Sequence, residues 1–208
     1  AILVIAISVR RAGRSFDERA IPLMGVTAAF IFAAQMINFP VVGGTSGHLL
    51  GAVLAAILLG PWAGTLVMAS VIAVQSLVFQ DGGLLAMGAN IVNMGLIGTI
   101  GGYAIYRTTA RVLGGEEKRR LPAAAIAAWS AVMLGAAATS FELAFSGTTT
   151  LAVVLPAMLG THALIGIGEA LITVGALALI QSARPDLLQL RDVRGATPTG
   201  PAIEMIES

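Results

Sequence analysis

All twelve lysine and arginine residues of the chain lie in four places, and long apolar stretches without positive charge separate them. In chain order, the basic residues occupy residues 10–19, 107–120, 184 and 191–194. Basic residues of multi-span membrane proteins concentrate in the loops on the cytoplasmic side. The pattern therefore predicts which end of each helix faces the cytoplasm, and it leaves His48 and His162 at the opposite, outer ends of their spans.

The composition is that of an integral membrane protein. Hydrophobic residues make up 57% of the chain and charged residues 11%, whereas soluble domains carry about 25% charged residues. We expect an all-α, polytopic membrane helix bundle of about seven spans, because a helix satisfies its own backbone hydrogen bonds in lipid. A nucleic-acid partner is not predicted, since the basic residues lie where the topology needs them. The absence of cysteine excludes disulfides and thiolate metal sites.

The apolar stretches predict the individual spans. Those long enough to enter or cross a membrane cover residues 20–38, 48–60, 62–79, 84–106, 122–144 and 152–181, the last with a break near Gly160 as an open alternative. Residues 1–9 are apolar but cover less than half of a roughly 30 Å hydrocarbon core. We therefore expect further residues before Ala1, on the outer side, to complete a truncated first span. Residues 1–184 form the predicted membrane domain, and residues 185–208 form a polar cytoplasmic tail.

The glycine-rich run GGTSGH, residues 43–48, ends in a histidine. Glycine allows backbone conformations that a side chain forbids, and irregular backbone at membrane depth is tolerated where it is buried in protein or lines a cavity. A histidine at the start of the next helix would present an imidazole nitrogen there, and imidazole suits nickel, cobalt, copper and zinc. His48 is therefore the candidate metal ligand, and a loop with a hydrogen-bonded histidine is the alternative.

Other polar residues within or beside the spans are candidates to support a ligand or to line a cavity. His162 and Glu169 are seven residues apart and share a helix face. A buried carboxylate costs several kcal/mol unless it is paired, so Glu169 requires a partner or a proton. Interhelical hydrogen bonding is the default role for such residues, and a polar cavity is the alternative. The full set is Asn38, Ser46, Asn90, Asn93, His162 and Glu169.

The motifs of several other protein classes are missing from the sequence. It contains no Walker A motif and no hydrolase serine motif, so we do not predict an enzyme. Scattered methionines and the lack of cysteine argue against a copper(I) pathway. A structural membrane subunit without its own metal site remains an alternative of another class. It would explain the hydrogen-bonding residues but not a glycine-rich run that ends in His48.

Three blocks of the sequence resemble the CbiM/NikM family, the cobalt/nickel substrate-binding (S) components of energy-coupling-factor ABC transporters. The blocks are NFPVVGGTSGHLLG at 38–51, FQDGGLLAMGANIVNMG at 79–95 and THALIGIGEALIT at 161–173. The likeness covers roughly residues 20–182. It implies an S component that works with a T-type membrane subunit and with ATP-binding cassette ATPases, which hydrolyse the ATP. A small accessory membrane subunit is a further partner that the resemblance leaves open.

The resemblance also implies a metal site. In the family, metal is bound by the N-terminal amino group, by the imidazole and backbone nitrogen of the following histidine, and by a histidine in the glycine-rich block. The last of these maps onto His48, whereas the family's Met-His-Ile-Pro start is expected to precede Ala1. The implied transported substrate is Co(II) or Ni(II), with cobalt for cobalamin synthesis favoured and nickel uptake as the alternative. The implied location is the inner (plasma) membrane, multi-pass, with the N-terminus outside and the C-terminus cytoplasmic.

Overall fold

The fold is a bundle of helices that encloses one short β-hairpin. The computed structural model describes residues 1–13, 20–41 and 45–189. Within these ranges, the helices long and apolar enough to cross a membrane are Pro61–Phe79, Gly83–Val112, Arg119–Phe145 and Leu151–Ala183. The predicted all-α membrane bundle is confirmed by these four helices. The predicted count of about seven spans is not confirmed, because the other described helices are too short to cross a membrane unaided.

The first half of the chain begins with two helices, a pair of strands and two further helices. They are α1 (Ile2–Ala12), α2 (Ala20–Gln35), β1 (Asn38–Val41), β2 (Thr45–His48), α3 (Ala52–Leu59) and α4 (Pro61–Val74). Gly60 has a φ of +86° and separates α3 from α4. A helix cannot continue through that conformation, whereas Pro61 suits the start of the next helix because its missing N–H would be unpaired there.

The second half contains the longest helices. They are α5 (Gly83–Asn90), α6 (Gly102–Val112), α7 (Glu116–Phe145), α8 (Leu151–Ala183) and α9 (Asp186–Gln189). Two π-helical segments, Gln75–Phe79 after α4 and Ile91–Gly101 between α5 and α6, complete the apolar spans. Such wide turns are rare and occur frequently at functional sites. The sequence contains no signal that predicts them.

A β-hairpin replaces the helical start that the sequence predicts for the third span. Strands β1 and β2 pair antiparallel, with Asn38 opposite His48 and Pro40 opposite Ser46. Helix α3 begins only at Ala52, after Gly51 turns the chain with a φ of +73°. The prediction of helix from residue 48 is therefore wrong, and His48 ends a strand instead of starting a helix. The predicted second span is shorter as well, since α2 ends at Gln35.

Helix α3 forms the centre of the bundle. All eight of its residues are buried, and α4, α6, α7 and α8 pack around it. Small residues permit this close approach. At Gly102 of α6, an added Cβ would lie only 2.6 Å from Val53 Cγ2. The face of α7 that enters the core consists of alanines without exposed surface: Ala123, Ala124, Ala127, Ala128 and Ala131.

Helix α8 is continuous over 33 residues, so the break considered near Gly160 is absent from it. Its outer face carries Leu164 and Leu171, which are 72% and 69% exposed. In a membrane protein these side chains face lipid. Its inner face packs on α7, where the Trp129 indole N–H donates to the Ala163 carbonyl at 3.1 Å. A rigid α8 thereby presents its remaining face to the hairpin.

We expect a labelling experiment to reveal the orientation of the bundle. The chain has no cysteine, so single cysteines can be introduced without a background signal. Val112→Cys lies in the predicted cytoplasmic loop 107–121 and should resist an impermeant thiol reagent in intact cells. Thr150→Cys lies at the predicted outer end of α8 and should react. Both must react after permeabilisation, and the reverse pattern in intact cells would overturn the orientation.

Candidate metal-binding cavity

A cavity of about 1040 Å³ brings together most of the polar residues that the sequence analysis selects. His48 from the hairpin and His162 from α8 line it, with Asn90 and Asn93 from the helix around the second π-helical segment. The carboxylate residues Asp81 and Glu142 line it as well. The cavity therefore lies at the end of the bundle predicted to face outward. Its lining combines nitrogen donors with oxygen donors.

His48 is half-buried at the end of β2. Its ring Nδ1 lies 2.7 Å from the Leu49 carbonyl oxygen. A carbonyl can only accept, so Nδ1 carries the proton and Nε2 of the neutral ring keeps its lone pair. Metal-ligating histidines in proteins are oriented in this way, with the other ring N–H donated to a backbone carbonyl. The local geometry therefore suits the role that the sequence predicts for His48.

His162 is 8% exposed and lies beneath the hairpin. Its Nδ1 donates to the Met158 carbonyl at 2.8 Å, one turn earlier in α8. The ring lies against Gly47, where an added Cβ would be 3.0 Å from His162 Nε2 and 2.7 Å from Ile165 Cδ1. A side chain at position 47 would therefore press on the His162 ring and displace the end of the Ile165 side chain.

Glu169 binds the backbone that follows His48. Its Oε2 accepts the Leu50 N–H at 2.8 Å, and its Oε1 accepts the Gly51 N–H at 2.6 Å. The side chain is only 2% exposed and is not among the cavity-lining residues. The carboxylate therefore satisfies two backbone donors at the turn into α3, where no helical partner exists for them. His162 packs against Gly47, and Glu169 binds the Leu50 and Gly51 amides, both from one face of α8. The two side chains do not bond each other.

Two glutamines fix the same turn from the opposite side. The Gln35 amide donates to the Leu50 carbonyl at 2.7 Å, and the Gln75 amide donates to Gln35 Oε1 at 2.9 Å. Both side chains are buried. Sequence reasoning left them out of the candidate set. The available signal was a glutamine within each of two apolar spans, which predicts an interhelical hydrogen bond but not its partner.

Asn93 connects the second π-helical segment to α7. Its amide Nδ2 donates to Glu142 Oε2 at 2.8 Å and to Thr139 Oγ1 at 3.2 Å. Its Oδ1 is buried and has no hydrogen-bond partner. Asn90 also lines the cavity, where its amide lies against Gly82. Asn93 therefore makes the interhelical hydrogen bonds that were the default prediction, and both asparagines also line the cavity that was the alternative.

The two remaining candidates belong to the hairpin backbone. Asn38 pairs with His48 in the ladder, and its side chain is exposed. Ser46 pairs with Pro40, and its side chain lies outside the described residues. Within the described ranges, no group of three or more His, Asp or Glu side chains is arranged to hold a metal ion. Among described side chains, the nitrogen donors with a free lone pair at the cavity are the two imidazoles.

The structure defines a membrane helix bundle with a polar cavity that two imidazoles line. Residues 1–187 match the family model described as CbiM, the cobalt uptake substrate-specific transmembrane region. The chain therefore belongs to the CbiM family of metal-uptake membrane proteins. This confirms the family resemblance seen in the three sequence blocks.

Relatives from archaea and bacteria are named as metal transport proteins. A putative fused nickel transport protein NikMN of Archaeoglobus fulgidus is 42% identical over 93% of this chain, which spans 64% of that relative's length. A putative metal transport protein of Haloquadratum walsbyi is 40% identical, with 89% of this chain and 84% of the relative covered. The cobalt transport protein CbiM of Sorangium cellulosum is 30% identical, with 95% and 90% covered.

The fold recurs in a crystal structure described as a transition metal transporter. The two chains share 33% sequence identity and superpose with a TM-score of 0.80. The match covers 87% of this chain and 84% of the other. The relatives and the solved structure are thus named for transport, in agreement with the prediction that the chain is not an enzyme.

Proposed function

We propose that this chain is the substrate-capturing membrane subunit of an energy-coupling-factor transporter that imports a divalent transition metal. The observation that carries the proposal is the hydrogen bonding of the His48 ring and of the backbone next to it. Its Nε2 lone pair is free, and the backbone behind it is fixed by Glu169 through two hydrogen bonds. A rigid imidazole at the wall of an outward cavity is suited to take a metal ion from the outer side.

Co(II) is the favoured substrate, and Ni(II) is the alternative. The family description names cobalt, whereas the Archaeoglobus fulgidus relative is named for nickel. The two ions are neighbours in the affinity order and both accept imidazole nitrogen. The donor types at the cavity are therefore compatible with either ion, and competition between the two ions is the measurement that separates them.

The remaining site residues are assigned supporting roles. Glu169 positions the His48 segment through the backbone, and Asn93 with Asn90 forms the polar wall of the cavity. Asn38 and Ser46 shape the hairpin through their ladder pairing. His162 lies beneath the hairpin and supports Gly47 by packing.

Transport requires partners, because the chain contains no ATP-binding motif. The proposed partners are a T-type membrane subunit and ATP-binding cassette ATPases. A small accessory membrane subunit is a further candidate, supported by the description of the Archaeoglobus fulgidus relative as fused. The proposed location is the inner membrane, with the N-terminus outside and the C-terminus in the cytoplasm, as the basic loops predict.

Metal accumulation in cells tests this function. Cells that lack their own high-affinity cobalt and nickel uptake should accumulate one of these metals when the chain is produced with its partner subunits. His48→Ala should abolish the gain. Thr148→Val, which changes a cavity residue without removing an imidazole, should retain it. Equal accumulation by cells with and without the wild-type chain, at confirmed membrane expression, would overturn the proposal.

A further inference from the structure

The cavity carries two carboxylates that lack a cationic partner. Asp81 and Glu142 both line it, and in the described part of the chain neither forms an ion pair with a lysine or an arginine. The described lining residues include no basic side chain apart from the two histidines. Unpaired carboxylates in a cleft give it a negative potential, which concentrates cations there.

Asn93 holds one of these carboxylates next to an acceptor that is not used. Its Nδ2 donates to Glu142 Oε2 at 2.8 Å and to Thr139 Oγ1 at 3.2 Å. An ionised carboxylate can only accept, so these bonds fix which end of the amide is the donor. The side chain is 3% exposed, and Oδ1 is buried without a hydrogen-bond partner. Such an acceptor costs free energy, and a ligand that brings a donor to this wall would remove the cost.

We propose that Glu142, Asn93 and Thr139 form an entry site that holds a hydrated divalent cation through its water ligands. All three side chains line the cavity and offer oxygen, and the bonds from Asn93 Nδ2 join them into one cluster. The proposal rests on the proposed function, because the captured metal is the ion that enters. The entry site is separate from His48 and holds the ion before an imidazole binds it.

The arrangement favours an ion that keeps its water shell. Within the described ranges, no group of three or more His, Asp or Glu side chains could hold a metal directly, so this wall cannot replace a full set of water ligands. Metal-bound waters donate hydrogen bonds, and carboxylate, amide and hydroxyl oxygens accept them. Six waters occupy roughly 180 Å³ at the density of the liquid, and the cavity of about 1040 Å³ accommodates them.

Mn(II) probes the entry site separately from His48, because Mn(II) favours oxygen ligands. Electron paramagnetic resonance of the purified chain with its native N-terminus measures how much added Mn(II) is bound. We expect wild type and His48→Ala to bind Mn(II) alike. Glu142→Gln should bind it roughly tenfold more weakly, since hydrogen bonds to a charged group are lost. Asp186→Asn removes an exposed carboxylate outside the cavity, as a matched control, and should bind like the wild type.

The rate of Co(II) binding tests the role in entry. After rapid mixing, Glu142→Gln should associate with Co(II) several-fold more slowly than the wild type. Added salt should narrow the difference, because it screens the attraction of a carboxylate for the approaching ion. The X-ray absorption spectrum of bound Co(II) at equilibrium should stay that of the wild type, because His48 is unchanged.

Asn93→Leu gives an independent measurement. It should weaken Mn(II) binding, yet its melting temperature in the presence of a chelator should not fall, because leucine replaces an acceptor that has no partner. A lowered melting temperature with unchanged Mn(II) affinity would limit Asn93 to a structural role and overturn its part in the site.

The outcomes separate the entry site from the proposed function. Equal Mn(II) binding by the wild type and Glu142→Gln would overturn the entry site and leave the proposed function intact. Loss of Mn(II) binding in His48→Ala, or a changed Co(II) spectrum in Glu142→Gln, would show one site instead of two and overturn it as well. Mn(II) bound through Glu142 without any binding of Co(II) or Ni(II) would contradict the proposed function and the role in entry, but not the oxygen-lined site.

Discussion

Replacement of His48 by alanine is expected to lower the affinity for Co(II) or Ni(II) by at least about tenfold, which corresponds to roughly 1.4 kcal/mol. The substitution removes an imidazole whose Nε2 is free at the cavity wall. The fold should persist, because the side chain is half-buried and its hydrogen bond reaches only the adjacent Leu49 carbonyl. Isothermal titration calorimetry of the purified protein with its native N-terminus, which is expected to supply the other ligands, measures the change for each metal.

The control for this variant is Thr148→Val. Thr148 lines the same cavity, and its hydroxyl shares a hydrogen bond with Ser146 at 2.8 Å. The substitution therefore changes the lining of the cavity without removing an imidazole. Its metal affinity should match that of the wild type within error. An affinity of His48→Ala equal to that of this control would show that the captured metal is bound elsewhere.

The position of the two histidines in the bundle could be predicted from the sequence, because it depends on local patterns of apolar and basic residues. The apolar spans and the basic loops predict which helix ends meet, and they place His48 and His162 at one end of the bundle. In the structure, these two residues line one cavity. Asn90 and Asn93 reach the same cavity through a helix face that their spacing defines.

The hairpin and its anchors do not follow from the sequence, for two physical reasons. Strands β1 and β2 have four residues each, too few for an alternating pattern to stand out from an apolar run. The anchors are contacts between distant parts of the chain. Glu169 and Leu50 are 119 residues apart, and Gln75 and Gln35 are 40 apart, so no local pattern can pair them.

Replacement of Glu169 by leucine is expected to destabilise the protein and to weaken metal binding together. The change leaves the buried Leu50 amide and the partly buried Gly51 amide without acceptors, and a buried unsatisfied group costs about 1–3 kcal/mol. Leucine avoids the free-energy cost of burying a carboxylate. In the native protein, however, the hydrogen bonds from the Leu50 and Gly51 amides already compensate for that cost. Thermal unfolding in detergent measures the loss of stability, and calorimetry with Co(II) or Ni(II) measures the loss of affinity.

Glu169→Gln separates the role of the carboxylate from that of side-chain size. A glutamine offers one acceptor oxygen, so one amide keeps its partner while the glutamine NH₂ faces the other N–H, donor against donor. We expect this variant to fold, with stability and metal affinity between those of the wild type and Glu169→Leu. Asp186→Asn, at an exposed carboxylate paired with Arg184, is the control and should change neither quantity. If Glu169→Gln and Glu169→Leu both bind metal as tightly as the wild type, the turn after His48 does not need the carboxylate. A loss of stability with unchanged affinity would limit Glu169 to folding, because a side chain that positions His48 must affect both.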